Sequence, residues 1–254
     1  VTDEAAFQRW LHALETAPLI AFDTETTSLN YMQARVVGVS FCVAPGKAAY
    51  VPFGHDYLGA PTQLPEARVL GALRPLLEDA GIAKVGHHAK YDRNVLLNHG
   101  IELRGIRYDT MLESYVLNST ASRHDLDSLA VQQLGVSTIH FEDVAGKGAK
   151  QLTFNQVPLE QAGPYAAEDA DVCFQLHQRL MGALATEPLL QRVLEEIEMP
   201  LVPVLSRIER NGVLVDAAML REQGTALSRR MAEVEEEAYG VAGEPFNMGS
   251  PATP

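Results

Sequence analysis

The apolar run Leu19-Ile20-Ala21-Phe22 ends in Asp23-Thr24-Glu25, and this feature restricts the fold more than any other. Side chains of an extended chain alternate between two faces, so Leu19, Ala21, Asp23 and Glu25 share one side while Ile20, Phe22 and Thr24 take the other. Two carboxylates therefore project together where a strand runs out. Placed side by side they repel, and at the end of a buried strand a cation or a shared proton offsets the loss. A solvated strand end also fits, because D-x-E is a short pattern.

The rest of the chain narrows the choice. Its 254 residues are enough for one large domain, or one domain and a smaller module, and 46% hydrophobic with 21% charged residues is a globular composition. No apolar run reaches membrane-spanning length, and Val1-Thr2-Asp3-Glu4 lacks the basic flank and apolar core of a signal peptide, so a cytoplasmic location is expected. Cys42 and Cys173 stand alone among apolar neighbours, which indicates core positions rather than a disulfide framework or a thiolate zinc site. A formal net charge of -13 argues against broad electrostatic adhesion to nucleic acid, which depends on Lys and Arg displacing counterions. Any such contact must be local.

Periodicity predicts helices over 4–15, 66–78, 90–99, 110–117, 125–134 and 159–181. Strands are predicted over 18–25, 35–43, 48–53 and 81–86, the second and third joined as a hairpin through Ala44-Pro45-Gly46-Lys47. After about Leu184 the composition shifts. A helix starting near Pro188 is expected to kink at Pro200 and Pro203 and to stop at Asn211-Gly212. A short strand over 213–215 and a last helix capped by Asp216 follow, then a Gly- and Pro-rich tail over 243–254.

Two further segments could carry chemistry. In Gly86-His87-His88-Ala89-Lys90-Tyr91-Asp92 a strand gives way to a helix, and Asp92 falls in the first turn, where a carboxylate also interacts well with the helix dipole. His87 and His88 are adjacent and point apart, with no third soft ligand nearby, which speaks against histidine ligation. In Tyr165-Ala166-Ala167-Glu168-Asp169-Ala170-Asp171, Tyr165 and Asp169 share one helix face beside small alanines that let another element approach. A surface helix with solubilising acids is the alternative, and Asp171 is assigned to it. Together Asp23, Glu25, Asp92 and Asp169 make a hard, all-oxygen ligand set suited to Mg²⁺ or Mn²⁺. Two such ions can hold the attacking and leaving oxygens of an in-line phosphoryl displacement.

With F-D-T-E-T-x-S-L at Phe22–Leu29, G-x-x-x-K-Y-D at Gly86–Asp92 and Y-A-A-E-D-A-D at Tyr165–Asp171, the chain resembles the DEDD exonuclease superfamily, in its tyrosine subtype. Asp109 to Tyr115, Arg123-His124-Asp125 and Leu152 to Gln156 are similar to the proofreading domains of bacterial DNA polymerase I, family A. Glu198 to Gly212 and Glu244 to Pro251 resemble the join between that domain and the polymerase thumb.

The resemblance implies an α/β, RNase H-like fold, a mixed sheet flanked by helices, over 1–184, followed by a truncated helical extension over 185–254. It implies 3'-to-5' removal of single nucleotides from single-stranded or frayed DNA ends, in the bacterial cytoplasm at the nucleoid, with a polymerase domain expected in the full-length protein. Two divalent ions are implied, the first on Asp23, Glu25 and Asp169, the second on Asp23 and Asp92, with Tyr165 orienting the attacking water. Leu29 would wedge against the terminal base and Phe154 would stack on it; Thr26 lies near the 3' hydroxyl, Tyr91 and Arg123 near the phosphates. One departure is His88, where the family usually has Asn or a similar amide; an imidazole still donates a hydrogen bond. Two other readings stand beside this one: an idle platform for a polymerase, against which all four carboxylates speak, and a related ribonuclease acting on RNA 3' ends.

Overall fold

A computed structural model describes residues 1–120 and 123–249. Its centre is β1 (Ile20–Thr26), the strand that carries the D-x-E pair. On one side β1 pairs antiparallel with β2 (Val36–Ala44), which forms a hairpin with β3 (Lys47–Pro52). The turn between them places Gly46 at φ 73°, a conformation glycine adopts without steric cost. On the other side β4 (Lys84–Gly86) and β5 (Ile106–Asp109) run parallel to β1, so the sheet order is β3-β2-β1-β4-β5 and the sheet is mixed.

Both faces are covered. On the face of Ile20 and Phe22, α1 (Glu4–Thr16), α2 (Glu66–Glu78) and α3 (Ala89–Leu97) bury Phe7, Leu14, Leu73, Val95 and Leu96 against Phe41. After β5 come α4 (Thr110–Leu117), α5 (Leu126–Leu129) and α6 (Phe141–Ala145). The opposite face belongs to α7 (Leu159–Leu184). Ala162, Ala166 and Ala170 recur every fourth residue, share one side of this helix and are fully buried. With no side chain beyond Cβ, that stripe lets α7 lie close over β1 and β2, and Ala21, Cys42 and Val85 pack against Ala170 and Cys173. Both cysteines are buried and unpaired.

After α7 come α8 (Pro188–Val193), α9 (Met199–Asn211) and α10 (Ala217–Ala242), the last capped by the Asp216 carboxylate. The chain forms two compact units, Val1–Arg210 and Asn211–Pro254. The first reaches past residue 184 because Leu194, Met199 and Val202 bury against Leu184 and pack on Leu112 and Val116 of α4. Among the described residues no helix is long and apolar enough to cross a membrane.

Several expectations need correcting. β5 was not expected, because Ile-Arg-Tyr-Asp is too short and polar to show a strand period. Residues 213–215 form no strand. The helix expected over 125–134 is α5 continued by a wide π turn over 130–134. The kink expected at Pro200 appears as a π turn over Leu194–Glu198, upstream of it, since a proline gives the carbonyl four residues earlier no N–H and the helix widens there. The end of the Gly- and Pro-rich tail, from residue 250, lies outside the described residues.

The passage from β4 into α3 leaves no room at Gly86, where a Cβ would stand 2.8 Å from the Ala89 Cβ and 3.5 Å from the Phe22 carbonyl oxygen. Gly86→Ala is expected to destabilise the protein by about 1–3 kcal/mol, read as a lower urea midpoint with an unchanged slope.

Candidate functional site

Alternation along β1 aims Asp23 and Glu25 at α7, while Thr24 points with Phe22 towards α3. Glu25 is buried and Asp23 half-buried. Above that strand end α7 presents Tyr165 and Asp169, one turn apart. Asp92 enters from the first turn of α3 and is buried. Its Oδ1 accepts from both the backbone N–H (3.0 Å) and the hydroxyl (2.6 Å) of Thr24. Three elements distant in sequence thus bring four carboxylates to one strand end.

Their titration records the crowding. Burial pushes Asp23 up to about 6, opposed by the Thr24 backbone. Glu25 rises well above the usual carboxylate range, first through burial and then through the charges of Asp23, Asp169 and Asp92. Burial and the neighbouring Asp23 raise Asp92 and Asp169 in the same way. No cationic side chain figures among these causes. Ser40, directly across β2 from Asp23, keeps a buried hydroxyl with no hydrogen-bond partner; it is near enough to temper Asp23 but not in bonding geometry. Burial, then Asp169 and Glu25, raises the Tyr165 phenol, which stays neutral.

Among the described residues, no group of three or more His, Cys, Asp or Glu side chains stands ready at metal-ligand spacing. The carboxylates lie within electrostatic reach of one another without closing on a common point. The donor set nevertheless fits a hard divalent cation: every donor is an oxygen, the acids are largely buried, and their mutual repulsion lacks a counter-charge.

Around this cluster the other expected residues fall into different places. Tyr91 Oη shares a 2.5 Å hydrogen bond with Thr26 Oγ1 and donates to the Ser28 carbonyl at 2.6 Å, fixing the segment beyond β1 to α3. Leu29 follows with 92% exposure, free to meet a ligand. His88 is exposed at the head of α3, and His87 hydrogen-bonds Thr110 at 2.9 Å. Arg123 lies at the surface paired with Asp125 at 2.9 Å, and no described contact joins it to the carboxylates.

Phe154 corrects an expectation. At 2% exposure it is packed under Tyr165 with Val37 and Tyr50, so it supports the phenol and offers no face to a base. The half-buried aromatic beside the site is Phe141, stacked on Phe154 at 6.4 Å and edge-on to Tyr165 at 6.3 Å. Sequence reading passed over Phe141 because it sits in the five-residue α6, too short to show a period. Asp171 is also not a solubilising acid: it accepts from the Gly46 N–H at 2.7 Å and from Gln175 at 2.9 Å, tying the β2–β3 turn to α7. Thr24 was missed because its role lies on the face of β1 opposite the acids.

The sequence model of the 3'-5' exonuclease family matches residues 1–185, and the chain belongs to that family. It is similar to DNA polymerase I of Pseudomonas aeruginosa, with 63% identity over 99% of this chain and 28% of that protein. To DNA polymerase I of Rhizobium leguminosarum it is 41% identical, over 99% of this chain and 26% of that protein. The chain therefore spans about a quarter of the length of these curated relatives. Among solved structures, it is similar to the POL domain of Pol1 from M. smegmatis in complex with DNA primer-template and dNTP. There the TM-score is 0.77 at 23% identity, covering 98% of this chain and 38% of that one. Brucella melitensis NrnC aligns with a TM-score of 0.60 at 22% identity, covering 78% of this chain and 88% of that one. The mixed sheet flanked by helices is an RNase H-like fold.

The raised carboxylates set a sign for stability. Folded Asp23 titrates near 6 against an ordinary 3.8, so between those values the folded protein keeps a proton that the unfolded chain releases, and rising pH costs stability. In chelator, the Tm of Asp23→Asn relative to wild type is expected to rise from about pH 4 to about pH 6. At neutral pH, Asp23→Asn is expected to raise Tm in chelator by about 2–4 °C. Mn²⁺ at about a hundredfold excess over its Kd is expected to stabilise wild type by about 3 kcal/mol and the variant by far less. Calorimetric scans with and without Mn²⁺ check both.

Proposed function

We propose that the chain is the metal-dependent 3'-to-5' exonuclease part of a family A DNA polymerase and removes single nucleotides from DNA 3' ends. The observation that carries this reading is the convergence of Asp23, Glu25, Asp92 and Asp169 at one strand end with Tyr165 beside them, in a chain of the 3'-5' exonuclease family. Residues 1–184 form the exonuclease domain and 185–254 begin the helical segment leading to the polymerase.

Asp23, Glu25 and Asp169 would hold one divalent ion, Asp23 and Asp92 a second, Mg²⁺ or Mn²⁺ in each case. When bound, such ions lower the pKa of a coordinated water and neutralise charge on the phosphodiester and the leaving oxygen. The chain's own residues do the rest. Tyr165, a neutral phenol, orients the attacking water by hydrogen bonding. Thr26, clamped by Tyr91, receives the terminal 3' hydroxyl, and exposed Leu29 wedges against the last base. His88 takes the place of the family's amide, Arg123 meets the phosphates, and Phe141 offers the aromatic contact, which tolerates any base. Water adds to phosphorus as the bond to the penultimate 3' oxygen breaks, leaving a nucleoside 5'-monophosphate and a chain one residue shorter. With a net charge of -13 the chain grips DNA weakly by itself, which suits an end delivered by attached polymerase domains.

A 5'-labelled single-stranded DNA with Mg²⁺ or Mn²⁺, beside an RNA of the same sequence, is expected to give a ladder of one-nucleotide steps. The ladder should weaken by about a hundredfold or more in Asp23→Ala. No ladder at any protein concentration would favour an idle platform, and faster loss of the RNA would favour a ribonuclease. Arg123→Ala is expected to reduce the salt dependence of DNA binding by about one phosphate contact, measured by fluorescence anisotropy across a salt series.

A further inference from the structure

Asp109, the last residue of β5, is buried and pairs in register with Gly86 at the end of β4. Its carboxylate accepts four backbone N–H groups. Oδ1 takes Met111 at 3.0 Å, Leu112 at 3.3 Å and His88 at 3.2 Å; Oδ2 takes Ala89 at 2.8 Å. The first two bonds are an ordinary N-cap for α4. The other two cap α3, a helix whose own cap residue, His88, contributes no side-chain bond. One carboxylate therefore holds the starts of two helices.

His88 sits at φ 63°, ψ 41°, the only non-glycine residue with positive φ among the described residues. An L-residue there costs about 1–2 kcal/mol, and such strain persists only where surrounding bonds over-determine it. Asp109 supplies those bonds, and the tight packing at Gly86 closes off a shift of the turn. The first turn of α3, with Tyr91 and Asp92, is then held between two strands: β5 through Asp109, and β1 through Thr24 bonded to Asp92. We infer that Asp109 is a positioning residue of the nuclease site, its carboxylate locking the strained turn at His88 so that Asp92 faces Asp23; this rests on the role proposed above for Asp92. Four donors on two oxygens require a carboxylate. An amide at this position offers one oxygen and turns its own N–H groups towards the remaining donors.

The test is Asp109→Ser in the full chain, because serine is a good N-cap for α4 but its single short hydroxyl cannot also serve α3. Amide hydrogen exchange is expected to accelerate at His88 and Ala89 while Met111 and Leu112 stay protected. Mn²⁺, titrated calorimetrically without DNA, is expected to bind about tenfold more weakly, and kcat on labelled DNA should fall more than KM changes. Adding His88→Gly, which relieves the strain, should restore part of the Mn²⁺ affinity. Should the serine variant fail to fold, Asp109→Asn, which keeps the side-chain length, is measured in the same way. Unchanged Mn²⁺ affinity in a folded variant, or no recovery in the glycine double variant, overturns the inference. Wild type that binds no Mn²⁺ would instead sink the nuclease reading, and the exchange rates at His88 and Ala89 would still report whether Asp109 locks the turn.

Discussion

Mutual repulsion among carboxylates that the fold forces together is the constraint on which the rest of this structure depends. Burial alone disfavours an ionised acid, and each of Glu25, Asp92 and Asp169 also carries the field of Asp23. A site of this kind cannot be held by attraction among its own members, so it must be held by what lies behind them. The alanine stripe of α7 brings Tyr165 and Asp169 down on the strand end, and Thr24 draws in Asp92. Stability that those packed surfaces supply is partly given up at the centre, a common arrangement where a protein keeps a place for a cation.

Much of this was legible in the sequence, for reasons that differ by element. The acids of β1 and the Tyr165–Asp169 pair follow from the two simplest periods, two residues on a strand and about four on a helix. Helices α1, α2, α7 and α10 are long enough for their periods to show. What stayed hidden is either short or tertiary. β5 has four residues and no pattern, and it becomes a strand only because β4 offers it a parallel edge. Phe154 and Phe141 are both aromatic residues in short segments, and nothing local says which is covered; only the packing of Tyr50 and Tyr165 decides. The role of Asp109 at α3 depends on a contact across 20 residues of sequence.

The two ways of dividing the chain also differ for a physical reason. The exonuclease family model ends at residue 185, although similarity to DNA polymerase I continues over 99% of the chain. Compactness ends at Arg210, because α8 and α9 complete the apolar cover over α4 and because Ser206 and Arg210 hydrogen-bond to Asn94 of α3. A segment beyond the residues that the exonuclease model matches thus finishes the core of the unit that contains the candidate site.

Neighbouring residues of β1 face opposite layers: Asp23 looks towards α7, while Thr24 reaches into the layer of α3 and grips Asp92. The ligand set is therefore assembled through the thickness of the sheet, with Asp23, Glu25 and Asp169 on the side of α7 and Asp92 on the side of α3. Asp92 takes its place from a helix packed on one layer, and Asp169 from a helix packed on the other. One site is thus positioned from both faces of a single sheet.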